Sequence, residues 1–267
     1  MCIRDSPGTI GSPSIDYIIA DRFVIPEKSR EFFTEKIAYL PNTYQANDNT
    51  RKISNRQFSR KELGLPEYGF VFACFNNNYK IVPSTFDLWV NILKQVDGSV
   101  LWLLADNQLA KENLIKEALA RGIPPERLVF ADRMESSEHL ARHRLADLFL
   151  DTLPCNAHTT CSDALWSGLP VLTLVGSTFS GRVSSSLLNA VGMQELIVTT
   201  KEEYVALAIE LAKNSAKLEA IRERLASNIL SMPLFDSSQF TEHIESVYLA
   251  MIKRHQAGLQ PDHIFIA

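Results

Sequence analysis

From residue 70 onward, short uninterrupted apolar runs alternate with longer segments whose apolar residues recur every three or four positions. That rhythm predicts strands buried on both faces, joined by crossover helices. Residues 69–75 (Gly-Phe-Val-Phe-Ala-Cys-Phe) form the first run. Behind them Phe86, Trp89, Val90 and Leu93 fall at i, i+3, i+4 and i+7 on one helical face, with Pro83-Ser84-Thr85 expected to supply the N-cap and Gly98 the stop. The unit recurs with strands predicted over residues 100–105, 128–131, 147–151, 171–175 and 196–198. Helices are predicted over 109–121, 137–145, 182–191 and 204–213, with a further one opening at Thr159-Thr160 and carrying Asp163 in its first turn. Thr200 and Glu203 form a capping box, and two more helices, over 218–231 and 239–255, finish the chain. The fold class implied is α/β, a Rossmann-like parallel sheet flanked by helices.

Residues 7–66 read differently. They hold one strand-like run, Tyr17-Ile18-Ile19-Ala20, one predicted helix over 27–35, and a polar stretch over 42–61 with turn residues Asn47-Asp48-Asn49, read as a linker. One strand and one helix cannot bury a core alone, so this piece must dock on something. The expected division is residues 1–66 as a remnant plus linker and residues 67–267 as the main domain with its C-terminal helices.

Composition narrows the function. Among 267 residues, 46% are hydrophobic, and 27 basic residues face 31 acidic ones for a net charge of −4. Such a chain buries an ordinary core and has no global field to gather nucleic acid or an anionic membrane. An anionic ligand must therefore be held by a local site. No apolar run approaches the ~20 residues needed to cross a bilayer. Cys2, Cys74, Cys155 and Cys161 show neither metal-ligand spacing nor a disulfide framework, and the start lacks a signal-peptide pattern, so a cytoplasmic location is expected.

In an open parallel sheet, ligands bind beyond the carboxyl ends of the strands, which places the loops at 76–80, 132–139 and 151–160 on one rim. The third loop brings an imidazole (His158), two hydroxyls (Thr159, Thr160) and unpaired backbone N–H groups to a helix N-terminus, a combination suited to phosphate. The plainer alternative is a threonine N-cap beside a solvated histidine. Lys80 follows the first strand closely enough to reach the same anion, though an ordinary surface lysine is the better reading from spacing alone. His139 can stack on a base or sit on the surface. His143, His243, His255 and His263 have no partner motif, and Trp89, Trp102 and Trp166 fall on apolar faces as core residues. There is no GxGxxG after the first strand, no GxxxxGK[ST], no GxSxG, no HExxH and no DxD-type carboxylate pair at a strand end.

Residues 75–80 (Phe-Asn-Asn-Asn-Tyr-Lys), 99–104 (Ser-Val-Leu-Trp-Leu-Leu), Glu138-His139, and above all residues 145–160 with Asp163-Ala-Leu-Trp166 resemble the catalytic region of O-linked N-acetylglucosamine transferases. The likeness is to the bacterial, Spindly-like branch of glycosyltransferase family 41. It extends from Pro7-Gly8-Thr9 to Pro261-Asp262-His263. The resemblance implies the C-terminal half of a GT-B fold. It also implies inverting transfer of N-acetylglucosamine from UDP-GlcNAc to protein Ser or Thr, with no cofactor and no metal.

By the same resemblance, Lys80 contacts the diphosphate and assists its departure, and Thr159 and Thr160 hold phosphate oxygens. His158 and Cys155 lie near phosphate and sugar, and Tyr79 lines the sugar pocket. His139 stacks on uracil, the backbone at Met134 reads its edge, Asp163 takes the ribose hydroxyls, and Pro7 is a donor contact from the other half. Lys80, His158 and Tyr79 are the expected catalytic group. Two positions depart from the pattern: Asn77 stands where many members carry Gln, and Ser136 where animal members carry a ribose-binding Lys. The partners implied are a UDP-sugar and acceptor proteins. The family's tetratricopeptide repeats and most of its N-terminal catalytic half have no counterpart here, and residues Met1 to Ser6 do not match what precedes Pro7. The isolated chain is therefore expected to be inactive as a fragment of the transferase. The alternatives are an N-glycosyltransferase of the same family, using UDP-hexose and Asn acceptors, and a non-catalytic UDP-sugar-binding module.

Overall fold

A computed structural model describes residues 2–3, 7–105 and 107–266. The mismatch expected at Met1 to Ser6 falls mostly on residues 1 and 4–6, outside the described residues. The main sheet contains β4 (Val71–Cys74), β5 (Val100–Leu104), β6 (Leu128–Ala131), β7 (Leu148–Leu150), β8 (Val171–Leu174) and β9 (Ile197–Val198) in the order β6-β5-β4-β7-β8-β9, every pair parallel. Counted from β4, this is the doubly wound order 3-2-1-4-5-6, in which the connection reverses direction between β4 and β7 and opens a crevice at their carboxyl ends. Apart from buried Thr173 in β8, the strands are apolar because helices cover both faces.

The crossover helices are α1 (Pro83–Gln95), α2 (Gln108–Ala120), α3 (Ser136–Arg142), α4 (Thr159–Trp166), α5 (Val183–Ala190) and α6 (Lys201–Lys213), followed by α7 (Ser215–Asn228) and α8 (Ser237–Gln256). The capping box at Thr200 and Glu203 is formed. The cap expected of residues 83–85 is not: Val82 is the N-cap of α1 and Pro83 takes the first helical position, where its missing N–H costs nothing. Thr85 is buried instead and donates through Oγ1 to Leu153 O at 2.6 Å, tying α1 to the loop after β7. Asp163 stands one turn further along α4 than expected.

The first piece builds a second parallel sheet, in the order β1-β2-β3-β10, from β1 (Cys2–Ile3), β2 (Tyr17–Ala20), β3 (Lys36–Tyr39) and β10 (Ile264–Phe265). The sequence pattern predicted one strand here and a helix over 27–35. The structure has a short 3-10 helix, Glu27–Phe32, and then β3, whose run of four residues ending near Pro41 is too short for periodicity to reveal. The last strand returns to pair with β3, and Val247 of α8 packs with Tyr17, Ile19, Ala38, Leu40 and Ile264. The C-terminal segment thus rests on the first sheet. The other face of that sheet joins the main core through Ile18, Ala20, Val24, Ile25, Ile37 and Tyr39. The chain thus passes from the first sheet to the main sheet between β3 and β4 and returns to the first sheet at β10, and the two sheets share buried contacts.

Buried Asp21, after β2, ties the first sheet to the segment at Tyr44 and to α5. Its Oδ1 accepts from the N–H groups of Phe23 and Val24 at 2.8 and 3.0 Å, and its Oδ2 from Tyr44 N at 2.9 Å and Ser186 Oγ at 2.6 Å. Residues 42–61, read as a linker, do connect the two sheets, but they lie docked along the rim of the main sheet as a strap. Gln45 Nε2 donates to Ser162 Oγ at 2.8 Å, Asn47 Nδ2 to Leu234 O at 3.1 Å, Trp166 Nε1 to Arg51 O at 3.1 Å, and Ser54 N to Ser137 O at 3.0 Å. No helix or strand forms in residues 42–58, because the backbone spends its polar groups on neighbours rather than on a regular ladder.

Candidate functional site

The crevice between β4 and β7 is framed by the loops that follow those strands. After β7 the chain is organised by Asp151, which is buried. Its Oδ1 accepts from Thr152 N at 2.7 Å and Ala157 N at 2.6 Å, and its Oδ2 from Thr173 Oγ1 at 2.7 Å. Burial raises its carboxyl above the usual range, and these donors oppose the rise. Thr152 Oγ1 closes the loop on Cys155 O at 2.7 Å, and Ser184 Oγ holds Ala157 O at 2.9 Å. Residues 176–181 press against this turn so closely that a Cβ on Gly181 would stand 2.8 Å from Pro154 O. Only glycine fits there.

After β4, buried Asn76 bridges the two loops: its Nδ2 donates to Thr152 Oγ1 at 2.8 Å, and its Oδ1 accepts from Thr160 Oγ1. A 3-10 turn, Asn78–Lys80, then swings Lys80 across the crevice, where Nζ donates to Asn156 O at 2.7 Å. Asn76, Asn77, Tyr79, Lys80, His158, Thr159 and Thr160 line one cavity of about 290 Å³. Six of these were named from the sequence, and they converge. His158, as N-cap of α4, makes no side-chain cap bond, so the threonine-cap alternative does not hold. The first N–H groups of α4, on Thr159 and Thr160, have no intrahelical acceptor and face the same end as the Lys80 ammonium. Burial, and then the Lys80 charge, lower the His158 imidazole to about 4. It is neutral at pH 7 and able to accept or donate a hydrogen bond beside an anion.

A second cavity of about 410 Å³ adjoins the first, sharing His158 and Thr159, and is walled by Pro7, Tyr44, Gln45, Ala46, Asn47, Asp48, Arg51 and Ser162. Pro7 reaches it because Glu35 accepts from Thr9 Oγ1 and Ile10 N, both at 2.7 Å, and so anchors the segment that follows. Asp163 lies behind this wall, its Oδ1 accepting from Arg51 Nη1. Burial raises its carboxyl and Arg51 opposes the rise.

His139 stands apart from both cavities, on α3. Its ring meets Phe75 edge-on at 5.3 Å and His143 at 4.8 Å. Burial, then the charges around it, lower it to about 3, so it is an uncharged aromatic surface. Beneath it lies buried Arg142, with its guanidinium 4.7 Å from the centre of the Phe75 ring. Met134 is half-buried in the loop after β6, and Cys155 is half-buried beside the crevice. Neither lines the two cavities.

Sequence reasoning missed Asn76, Asp151 and the strap residues Gln45, Asn47 and Arg51. The first two are the first polar residues after apolar runs, a signal that was available. The strap gave none, since its role depends on where it docks. Among the described residues, no group of three or more His, Cys, Asp or Glu side chains is placed to share a metal ion, and no helix is long and apolar enough to cross a membrane.

The model of glycosyl transferase family 41 matches residues 3–58 and 45–244. A probable UDP-N-acetylglucosamine–peptide N-acetylglucosaminyltransferase, SEC of Arabidopsis thaliana, is 40% identical over 263 residues, 96% of this chain and 27% of the plant protein. The UDP-N-acetylglucosamine–peptide N-acetylglucosaminyltransferase of Caenorhabditis elegans is 39% identical over 206 residues, 77% of this chain and 18% of that one. The chain thus spans about a quarter or less of the length of these relatives. Among solved structures, a mutant O-GlcNAc transferase of Thermobaculum terrenum superimposes with a TM-score of 0.82 at 32% identity, covering 92% of this chain and 46% of that one. HepE of Anabaena, solved with UDP and glucose, shares the fold at TM-score 0.58 and 16% identity, over 86% of this chain and 63% of that one. The architecture is that of a GT-B glycosyltransferase, and the chain belongs to glycosyltransferase family 41.

Proposed function

We propose that this chain is the donor-binding part of a protein O-GlcNAc transferase, holding UDP-GlcNAc in the crevice between β4 and β7. One observation carries the reading: Asn77, Tyr79, Lys80, His158, Thr159 and Thr160, drawn from two loops far apart in sequence, line one cavity at the topological switch point. The diphosphate takes the N-terminus of α4 and the two threonine hydroxyls, where backbone N–H groups and the helix dipole favour negative charge. Lys80 exchanges the Asn156 carbonyl for a phosphate oxygen and stabilises the charge that grows there as the sugar leaves. Neutral His158 orients the same group without adding charge. The exposed Tyr79 ring, 76% accessible, closes over the sugar, with Cys155 and Pro7 at its margins. His139 stacks on the base, Met134 meets its edge through the backbone, and Asp163 takes the ribose. Asn77 and Ser136 keep polar atoms at their positions and bond through water.

Acceptor proteins are modified on Ser or Thr by the longer protein. These 267 residues alone bind the donor without appreciable transfer, because catalysis requires acceptor and donor held together. The test grafts residues 7–266 onto the acceptor-side portion of the Thermobaculum protein and follows N-acetylglucosamine transfer to peptides by mass spectrometry. Transfer to Ser or Thr is expected, reduced by roughly 10²-fold in Lys80→Ala. Transfer to Asn, or a folded chimera that binds UDP and transfers nothing, contradicts the reading.

A further inference from the structure

The strap contacts the two helices that carry the nucleoside-facing residues. Toward α4, Gln45 and Asn47 share Ser162 Oγ, which donates to Asn47 Oδ1 at 2.7 Å, and the indole of Trp166 holds the Arg51 carbonyl. Toward α3, Ser54 N reaches Ser137 O, and Arg56 Nη1 donates to Glu138 Oε1 at 2.9 Å. Arg51 lies between these anchorages. Its side chain is 28% exposed and lines the 410 Å³ cavity, while its Nη1 is committed to Asp163 Oδ1, whose side chain is 15% exposed. Asp163 Oδ2 accepts no hydrogen bond from the described residues. The Arg51 charge is also felt at His139 and His143, so it sits within electrostatic reach of the base-stacking side as well.

A carboxylate with one oxygen locked by a guanidinium and the other unoccupied, next to a phosphate-binding helix N-terminus, is an acceptor pre-set for a sugar hydroxyl. We propose that Arg51 is a positioning residue of the nucleotide site: from the strap it fixes the Asp163 carboxylate so that Oδ2 receives a ribose hydroxyl. The inference rests on the nucleotide reading above and adds to it that the strap sets ribose discrimination. Arginine suits the task because its planar fork fixes the angle of the carboxylate, which the ammonium of a lysine does not. Its backbone carbonyl is pinned by Trp166 at the same time, so the guanidinium projects from a fixed origin.

The test is calorimetric titration of the 267-residue chain with UDP, 2′-deoxy-UDP and 3′-deoxy-UDP, in wild type and in Arg51→Met, Arg51→Lys, Asp163→Asn and the Arg51→Met/Asp163→Asn double variant, with folding checked by circular dichroism. Wild type is expected to prefer UDP over at least one deoxy analogue. Arg51→Met is expected to weaken UDP by about 10-fold while leaving that deoxy analogue within about 2-fold, with Arg51→Lys intermediate and the double variant no weaker than Asp163→Asn. Trp166→Phe, which loosens the strap without removing the guanidinium, is expected to weaken all three ligands alike. If Arg51→Met also weakens all three alike, Arg51 only tethers the strap and the proposal is overturned. It is equally overturned if wild type binds UDP without preferring it to either deoxynucleotide, an outcome that leaves the phosphate site intact. A folded wild type that binds no UDP overturns the nucleotide reading and this inference with it.

Discussion

The two walls of the candidate site are built by different means. The crevice between β4 and β7 is a product of topology: parallel strands end there, a helix begins there, and a buried carboxylate, Asp151, locks the turn through three donors that include two backbone N–H groups of the loop itself. The facing strap has no regular structure and is held by side chains, one or two bonds at a time. On the proposed reading, removing a buried Asp151 bond from the first wall is expected to disturb the fold, whereas removing a strap bond is expected to disturb ligand binding.

That contrast predicts a graded set of effects. Asp151→Ala leaves Thr152 N, Ala157 N and Thr173 Oγ1 without their acceptor, and urea denaturation is expected to show a loss of about 3–5 kcal/mol. A loss below about 1 kcal/mol would mean that the loop holds its shape without Asp151. Lys80→Ala, on the same wall but facing the ligand, is expected to weaken UDP binding by roughly 1.5–3 kcal/mol, the range for a charge-assisted hydrogen bond, with little change in unfolding. On the strap, Asn47→Ala removes the bonds to Ser162 and Leu234 and is expected to cost about 1 kcal/mol in UDP affinity and less in stability. An effect of Asn47→Ala on stability as large as that of Asp151→Ala would erase the distinction between the walls.

A further effect is one of pH. His139 is lowered to about 3, and His143 and His158 to about 4, each from 6.5, by burial first. The unfolded chain therefore binds more protons than the folded one below about pH 6.5, so the stability these neutral rings retain above that value is lost as pH falls toward about 4. Buried Asp21, Asp151 and Asp163, raised by burial, act in the opposite sense. Melting temperature is expected to fall between pH 7 and pH 5, and to fall less in His139→Phe, which keeps a ring against Phe75. An unchanged slope in that variant would remove His139 from the titration.

The same contrast explains what could be read from the amino-acid sequence. The main sheet, its helices and the rim loops follow from apolar periodicity and capping, both local signals. Lys80, His158, Thr159 and Thr160 could be named because a parallel sheet sends its loops to one rim. The cap expected of residues 83–85 does not form because Pro83 takes the first helical position, leaving Thr85 inside the helix with its hydroxyl on a tertiary bond. β3 and β10 are too short for period-2 alternation to stand out, and β10 pairs with a strand more than 200 residues earlier. The strap was invisible for a related reason: Gln45, Asn47 and Arg51 make a polar, turn-rich stretch, and only the positions of Ser162, Asp163 and Trp166 turn it into a wall. Resemblance to a family supplied roles for Asp163, His139 and Pro7 but none for Arg51.

The central claim is that this crevice binds a uridine diphosphate group using protein donors and cations. Calorimetric titration of the folded 267-residue chain with UDP, repeated with CDP and with a chelator present, tests it most directly. Saturable binding that favours UDP over CDP and is unaffected by the chelator is the predicted result. Absence of saturable binding, equal affinity for UDP and CDP, or binding abolished by the chelator would contradict it.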